Sequence, residues 1–166
     1  MGAIEEIRKF NLPEYREIPN VGLYLEQVAK YVTESLSPVI SSPVTGSMIS
    51  NYVKKKLVPN PVRKQYDRRQ IVMIMFIVIM KMVMQIDDIK LLIDMVREEE
   101  DFDLETAYGK FVVDLKGVLG EVFGDGEYLE PLEAETADLV RLQRKMVIAV
   151  ANKVYLDRYF LNLRNM

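Results

Sequence analysis

Ser47-Met48-Ile49-Ser50-Asn51-Tyr52-Val53-Lys54-Lys55-Lys56-Leu57-Val58-Pro59-Asn60-Pro61-Val62-Arg63-Lys64-Gln65-Tyr66-Asp67-Arg68-Arg69 divides into three pieces of different periodicity. The first, ending near Lys56, sets Met48, Ile49, Tyr52 and Val53 on one side of a helix, with Ser47, Ser50, Asn51, Lys54 and Lys55 largely on the other. Thr45 or Ser47 is placed to cap its start. The second piece has Pro59-Asn60-Pro61 at its centre between apolar or basic arms, the pattern of a short loop or tight hairpin. In the third, Asp67 and Gln70 stand three residues apart, the spacing of a capping box, ahead of an apolar run.

Charge concentrates in the same stretch. Lys54, Lys55, Lys56, Arg63, Lys64, Arg68 and Arg69 face the single anion Asp67, whereas the whole chain of 166 residues carries a formal charge of −3. A local excess of that size in an acidic protein makes a confined positive field, suited either to a polyanion or to a solvated charged turn. The segment order favours the polyanion, because amides and hydroxyls can read base edges while rim lysines hold phosphates.

Outward from this centre, Val21, Tyr24, Leu25, Val28, Tyr31, Val32 and Leu36 predict an amphipathic helix over Asn20 to Leu36, with Asn20 as its N-cap. Leu12-Pro13 and Ile18-Pro19 bracket an extended arm before it. Ser37-Pro38 and Ser41-Ser42-Pro43 form a turn-rich connection after it. From Arg68 to about Met84 the helix is apolar nearly all round, so it should be the central core element, its methionines Met73, Met75, Met80, Met82 and Met84 included. Further helices are expected over Ile86 to Glu99, over Leu104 to Val122, and from about Leu132 to Phe160, with Phe123-Gly124-Asp125-Gly126 as a turn. The run Met146 to Ala151 is apolar on more than one face and needs cover, from its own chain or from a second subunit. Tyr155, Tyr159 and Phe160 have the spacing of packing residues, and no residue in these helices specifies a small-molecule effector.

The chain has no cysteine and no histidine, which removes thiol nucleophiles, disulfides, soft-metal sites and the side chain best suited to proton transfer near neutral pH. No nucleophile-base pair, phosphate-binding glycine motif or metal-ligand spacing is visible, so neither an enzyme nor a cofactor is expected. Glu98, Glu99, Glu100 and Asp101 read as a solvated helix end. No secretory leader pattern and no myristoylation signal opens the sequence, and its most apolar run is too short to cross a bilayer, so the cytoplasm is the expected location, with no membrane partner.

Two resemblances emerge from the blocks Ile18-Pro19-Asn20-Val21-Gly22-Leu23-Tyr24-Leu25-Glu26-Gln27 and Ser47-Met48-Ile49-Ser50-Asn51-Tyr52-Val53-Lys54. Both blocks are similar to those of domain-of-unknown-function family 1836, over roughly Leu12 to Glu100, which implies a fold but no established activity. More distantly, the chain resembles the DNA-binding domain of the mercury-resistance (MerR) regulators, through Tyr52, Leu57, Pro59 and Tyr66 and the later Asp88-Ile89-Lys90-Leu91-Leu92-Ile93. That resemblance implies that Ser50, Asn51 and Tyr52 face DNA, that Arg63, Lys64 and Tyr66 lie on a wing, and that Arg68 and Arg69 lie at the phosphate side of the next helix. Ser50 stands where that family has arginine and Lys56 where it has glycine, and the link from Leu36 to Ser47 is longer than a usual helix-turn-helix turn.

The expected architecture is mainly α: a winged, MerR-like helix-turn-helix over residues 12–100, then a C-terminal helical hairpin over 101–166, which packs on the first part or pairs two subunits. The expected function is a transcriptional regulator that binds double-stranded DNA. Its expected contacts are Ser47, Ser50, Asn51, Tyr52, Lys54 and Lys55 from the helix and Arg63, Lys64, Tyr66, Arg68 and Arg69 from the wing and beyond. The competing expectation is a protein-interaction module using the basic stretch and the apolar last helix.

Overall fold

A computed structural model describes residues 2–124 and 126–166, so Asp125 of the predicted turn lies outside the described residues. The order is α1 (Gly2–Lys9), a 3-10 turn (Tyr15–Glu17), β1 (Leu23–Tyr24), α2 (Leu25–Leu36), α3 (Gly46–Lys54), β2 (Gln65–Tyr66), α4 (Arg68–Met80), α5 (Ile86–Arg97), α6 (Leu104–Val122) and α7 (Asp138–Arg164). The fold is mainly helical. The two strands pair antiparallel, Leu23 opposite Tyr66 and Tyr24 opposite Gln65.

α4 is the axis of the core. Ile71, Ile74, Met75, Ile77, Ile79 and Met80 are fully buried, and Met73 nearly so, as a helix with apolar side chains all round requires. Its start matches the sequence reading: the Asp67 carboxylate accepts from the Gln70 backbone N–H at 3.0 Å, and Gln70 Oε1 accepts from the Asp67 N–H at 2.8 Å. It stops at Met80, four residues before the predicted end. Met84 N–H bonds back to Met80 in a tight turn through Lys81, with no glycine or proline to announce it.

The predicted helix from Asn20 starts five residues late. Gly22 takes a φ of +80°, a left-handed conformation that interrupts a helix. Leu23 and Tyr24 are instead drawn into pairing with β2, and the Tyr24 N–H donates to Gln27 Oε1 at 2.8 Å to begin α2. The arm between the prolines is not simply extended: Leu12 and Ile18 are buried around the 3-10 turn, and the Tyr108 hydroxyl donates to the Pro13 carbonyl at 2.6 Å.

One cluster of buried side chains takes in Ile7 of α1, Val32 of α2, Ile49 of α3, α4, Leu115 of α6 and Val150 of α7, so residues on both sides of the expected boundary near 100 share a core. Within the chain's own core, Met146, Val147, Val150 and Ala151 find their cover. The C-terminal pair is not an antiparallel hairpin. Residues 110–118 of α6 lie beside 140–147 of α7, and Phe123 meets Tyr155 at 5.4 Å between ring centres, so the numbering ascends together along both helices. The connection returns along α6 to allow this. Tyr128 lies flush on Gly117, where an added Cβ would come within 2.4 Å of its ring, and its hydroxyl bonds Asp114 at 2.9 Å. Glu121 accepts from the Tyr128 and Leu129 N–H groups, and these bonds hold its carboxyl below the usual range. α7 begins at Asp138 rather than near Leu132 because this strap occupies the intervening residues.

Candidate nucleic-acid interface

α3 is built as an exposed polar face on a buried anchor. Thr45 caps it, its hydroxyl oxygen accepting from Met48 N–H at 3.2 Å. Ile49 and Tyr52 are fully buried, leaving Ser47, Ser50, Asn51 and Lys54 on the exposed side. Those four line one shallow concavity of about 410 Å³, completed by Gly46 and by Leu25 and Glu26 at the start of α2. Sequence reasoning missed Leu25 and Glu26. Its search for cations passed over an acid, and only the crossing of α2 on α3 brings them to the site.

The segment expected to form a wing is a hairpin with a two-residue turn. Val62 and Gln65 exchange both backbone bonds, at 3.1 and 2.9 Å, around exposed Arg63 and Lys64. These two take φ values of 51° and 64°, the signature of a type I′ turn, a position favouring Asn-Gly because a Cβ is crowded there. Lys56, past the end of α3, has a φ of 63° and is exposed, so a lysine adopts the left-handed closing conformation that glycine usually supplies. β1 ties the parts together, since it pairs with β2 and runs directly into Leu25 and Glu26 of the concavity.

Two expected contact residues are withdrawn from the surface, and a third, Arg68, is half-buried with its guanidinium engaged within the chain. Tyr52 is 0% exposed, its ring under the Lys81 ammonium at 5.3 Å to the centroid. Tyr66 is 4% exposed, because its place opposite Leu23 turns it inward. Arg68 is held by the 3-10 turn: Nε donates to the Ile18 carbonyl at 2.8 Å, Nη2 to that of Arg16 at 3.1 Å, and the guanidinium lies over the Tyr15 ring. All three serve the fold. Arg69 remains exposed but borders Asp103, whose carboxyl is held low first by its Thr106 hydrogen bonds and then by the Arg69 charge. Lys55 is exposed as the C-terminal cap of α3.

The Tyr52 hydroxyl is buried without a hydrogen-bond partner among the described residues, and burial pushes its pKa up to about 12. Leaving such a group unpaired costs roughly 1–3 kcal/mol, so Tyr52→Phe is expected to stabilise the protein by about 1 kcal/mol at pH 7. The folded state holds this proton more tightly than the unfolded chain, so the associated stability is intact below about pH 10 and is lost as pH rises through the folded value of about 12. Urea titrations at pH 7 and 11 should therefore show a larger advantage for the phenylalanine variant at pH 11. A variant less stable than the parent at pH 7 would mean the hydroxyl is paired after all.

Among the described residues there is no cluster of acidic side chains able to hold a metal ion, and no helix is long and apolar enough to cross a membrane. The chain belongs to the family described as Domain of unknown function (DUF1836), which matches residues 13–111 and so runs from the 3-10 turn through β1, α2, α3, β2, α4 and α5 into the start of α6. No curated protein and no solved structure matches it.

Proposed function

We propose that the protein is a DNA-binding transcriptional regulator whose α2, α3 and hairpin form a winged helix-turn-helix of the MerR type, with α3 in the major groove. The observation that carries this reading is the concavity on the exposed side of α3, where Ser47, Ser50, Asn51 and Lys54 meet. Asn51 is suited to adenine and Ser50 to an adaptable neighbouring contact. Lys54, Lys55, Arg63 and Lys64 supply affinity for phosphates independent of sequence, with Arg69 at the margin.

The hairpin tip supports the same assignment. Two cations at positive φ cost about 1–2 kcal/mol each relative to glycine, and neither side chain makes a hydrogen bond or ion pair among the described residues. Their value lies in what they meet outside the chain. The last turns of α7 leave Tyr155, Leu156, Tyr159, Phe160 and Leu163 between 40% and 52% exposed. A second copy using the same face would cover this stripe and present two recognition helices to a two-fold DNA site.

Fluorescence anisotropy with mixed-sequence duplex DNA across a salt series tests the reading. Binding should weaken steeply with salt, and Lys54→Glu with Lys55→Glu and Arg63→Glu should reduce it at least about tenfold at low salt in a folded protein. The pair Arg63→Asn and Lys64→Gly separates fold from function, since it relieves the turn and should raise the unfolding midpoint while weakening binding. Absence of binding at about 50 mM salt, where several phosphate contacts suffice for detection, would refute the assignment.

A further inference from the structure

We infer that Glu26, on α2 and outside the predicted recognition helix, is a specificity-determining residue that accepts a hydrogen bond from the exocyclic amino group of a cytosine. This rests on the DNA-binding reading above. Glu26 is exposed, lines the same concavity as Ser47, Ser50, Asn51 and Lys54, and its side chain has no hydrogen bond or ion pair among the described residues.

Its position is made by a glycine. Gly46 is the first residue of α3, and a Cβ there would lie 2.5 Å from Glu26 Oε1 and 3.2 Å from Leu25 Cδ2. Any larger residue would displace the carboxylate from the mouth of α3. With Gly46 in place, an acceptor of full negative charge sits where a helix entering the major groove meets base edges.

The chemistry of the groove narrows the choice of partner. A carboxylate beside the concavity repels phosphate, and it repels the acceptor atoms that guanine and thymine present in the major groove. The donors available there are the amino groups of cytosine and adenine. Adenine presents its donor next to an acceptor, which suits the amide of Asn51, whereas cytosine presents the amino group that a carboxylate takes. Glu26 therefore reads one base pair both by attraction to cytosine and by repulsion of the alternatives.

Selection from a randomised duplex pool with wild type, Glu26→Ala and Glu26→Gln, followed by anisotropy on the selected site with single-base replacements, tests this. Wild type should select a cytosine whose replacement weakens binding about tenfold or more. Glu26→Ala should lose discrimination at that position alone, with equal or tighter binding to mixed-sequence duplex, and Glu26→Gln should shift the preference toward adenine. If Glu26→Ala binds duplex with every base preference intact, Glu26 only steadies α3, and a lowered unfolding midpoint would be its sole effect. That outcome overturns this inference and leaves the DNA-binding reading standing. A wild-type protein with no affinity for any duplex overturns both.

Discussion

Gln70→Ala is expected to destabilise the protein by about 3 kcal/mol and to lower its melting temperature by about 10 °C. Gln70 is the buried polar side chain of the core, 6% exposed at the start of α4. Its amide is used at both ends. Oε1 closes the capping box with the Asp67 N–H, while Nε2 donates to the Pro59 and Asn60 carbonyls at 3.0 and 3.1 Å. Truncation removes one half of the cap, worth about 1 kcal/mol, and two hydrogen bonds to the loop that leads into the hairpin. Each carbonyl left without its donor in this part-buried setting adds about 1 kcal/mol. Gln70→Glu keeps the acceptor for Asp67 but points a carboxylate at two carbonyl oxygens, so it should be at least as damaging. Urea denaturation decides the matter, and a loss below about 1 kcal/mol would show that water readily replaces the amide.

Arg158→Ala is expected to cost about 2 kcal/mol. Nη2 of Arg158 donates to the carbonyls of Ser37 at 3.0 Å, Pro38, and Ile40 at 3.5 Å, where α2 ends. Those carbonyls lie at the negative end of a helix, where a cation gains both hydrogen bonds and dipole energy. Asp157 adds a bond from the Ser41 hydroxyl at 3.3 Å. One turn of α7 thus pins the long connection between α2 and α3. Hydrogen exchange should accelerate most at the Val39, Ile40 and Val44 amides, which bond to Leu36 and to the Thr33 hydroxyl. A uniform acceleration across the protein would instead mean that Arg158 contributes only to global stability. Arg158→Lys retains the charge and should recover part of the loss.

These two residues mark where sequence reading succeeds and where it stops. Gln70 is legible as a capping residue because Asp67 and Gln70 interact across three positions, a local geometry that spacing encodes. Its bonds to Pro59 and Asn60 are not legible, since no pattern states which loop folds back over a helix. Arg158 reads as a surface cation on a long helix, and its partners lie more than 115 positions away. The link it holds looks too long for a helix-turn-helix turn when seen only as a string.

The candidate site divides the same way. Ser47, Ser50, Asn51 and Lys54 follow from helical periodicity, and the structure gathers them on one concavity. Tyr52, Tyr66 and Arg68 do not remain with them. The first two are apolar enough to be claimed by the core, and the third is held by carbonyls of the 3-10 turn.

What the sequence determined by itself is local: helical periods, the cap at Asp67 and a choice of Thr45 or Ser47 for that of α3, the apolar axis of α4, and the concentration of charge from Lys54 to Arg69. Such features depend on residues a few positions apart, so spacing alone carries them. Tertiary structure decided everything that requires two distant segments to meet. It paired β1 with β2 and so delayed α2, set Glu26 beside α3 over Gly46, and turned the connection back along α6 so that α7 runs beside α6 in the same direction. The physical reason is that burial and backbone pairing reward whichever contacts close a common core, and those contacts override local preference wherever the two disagree.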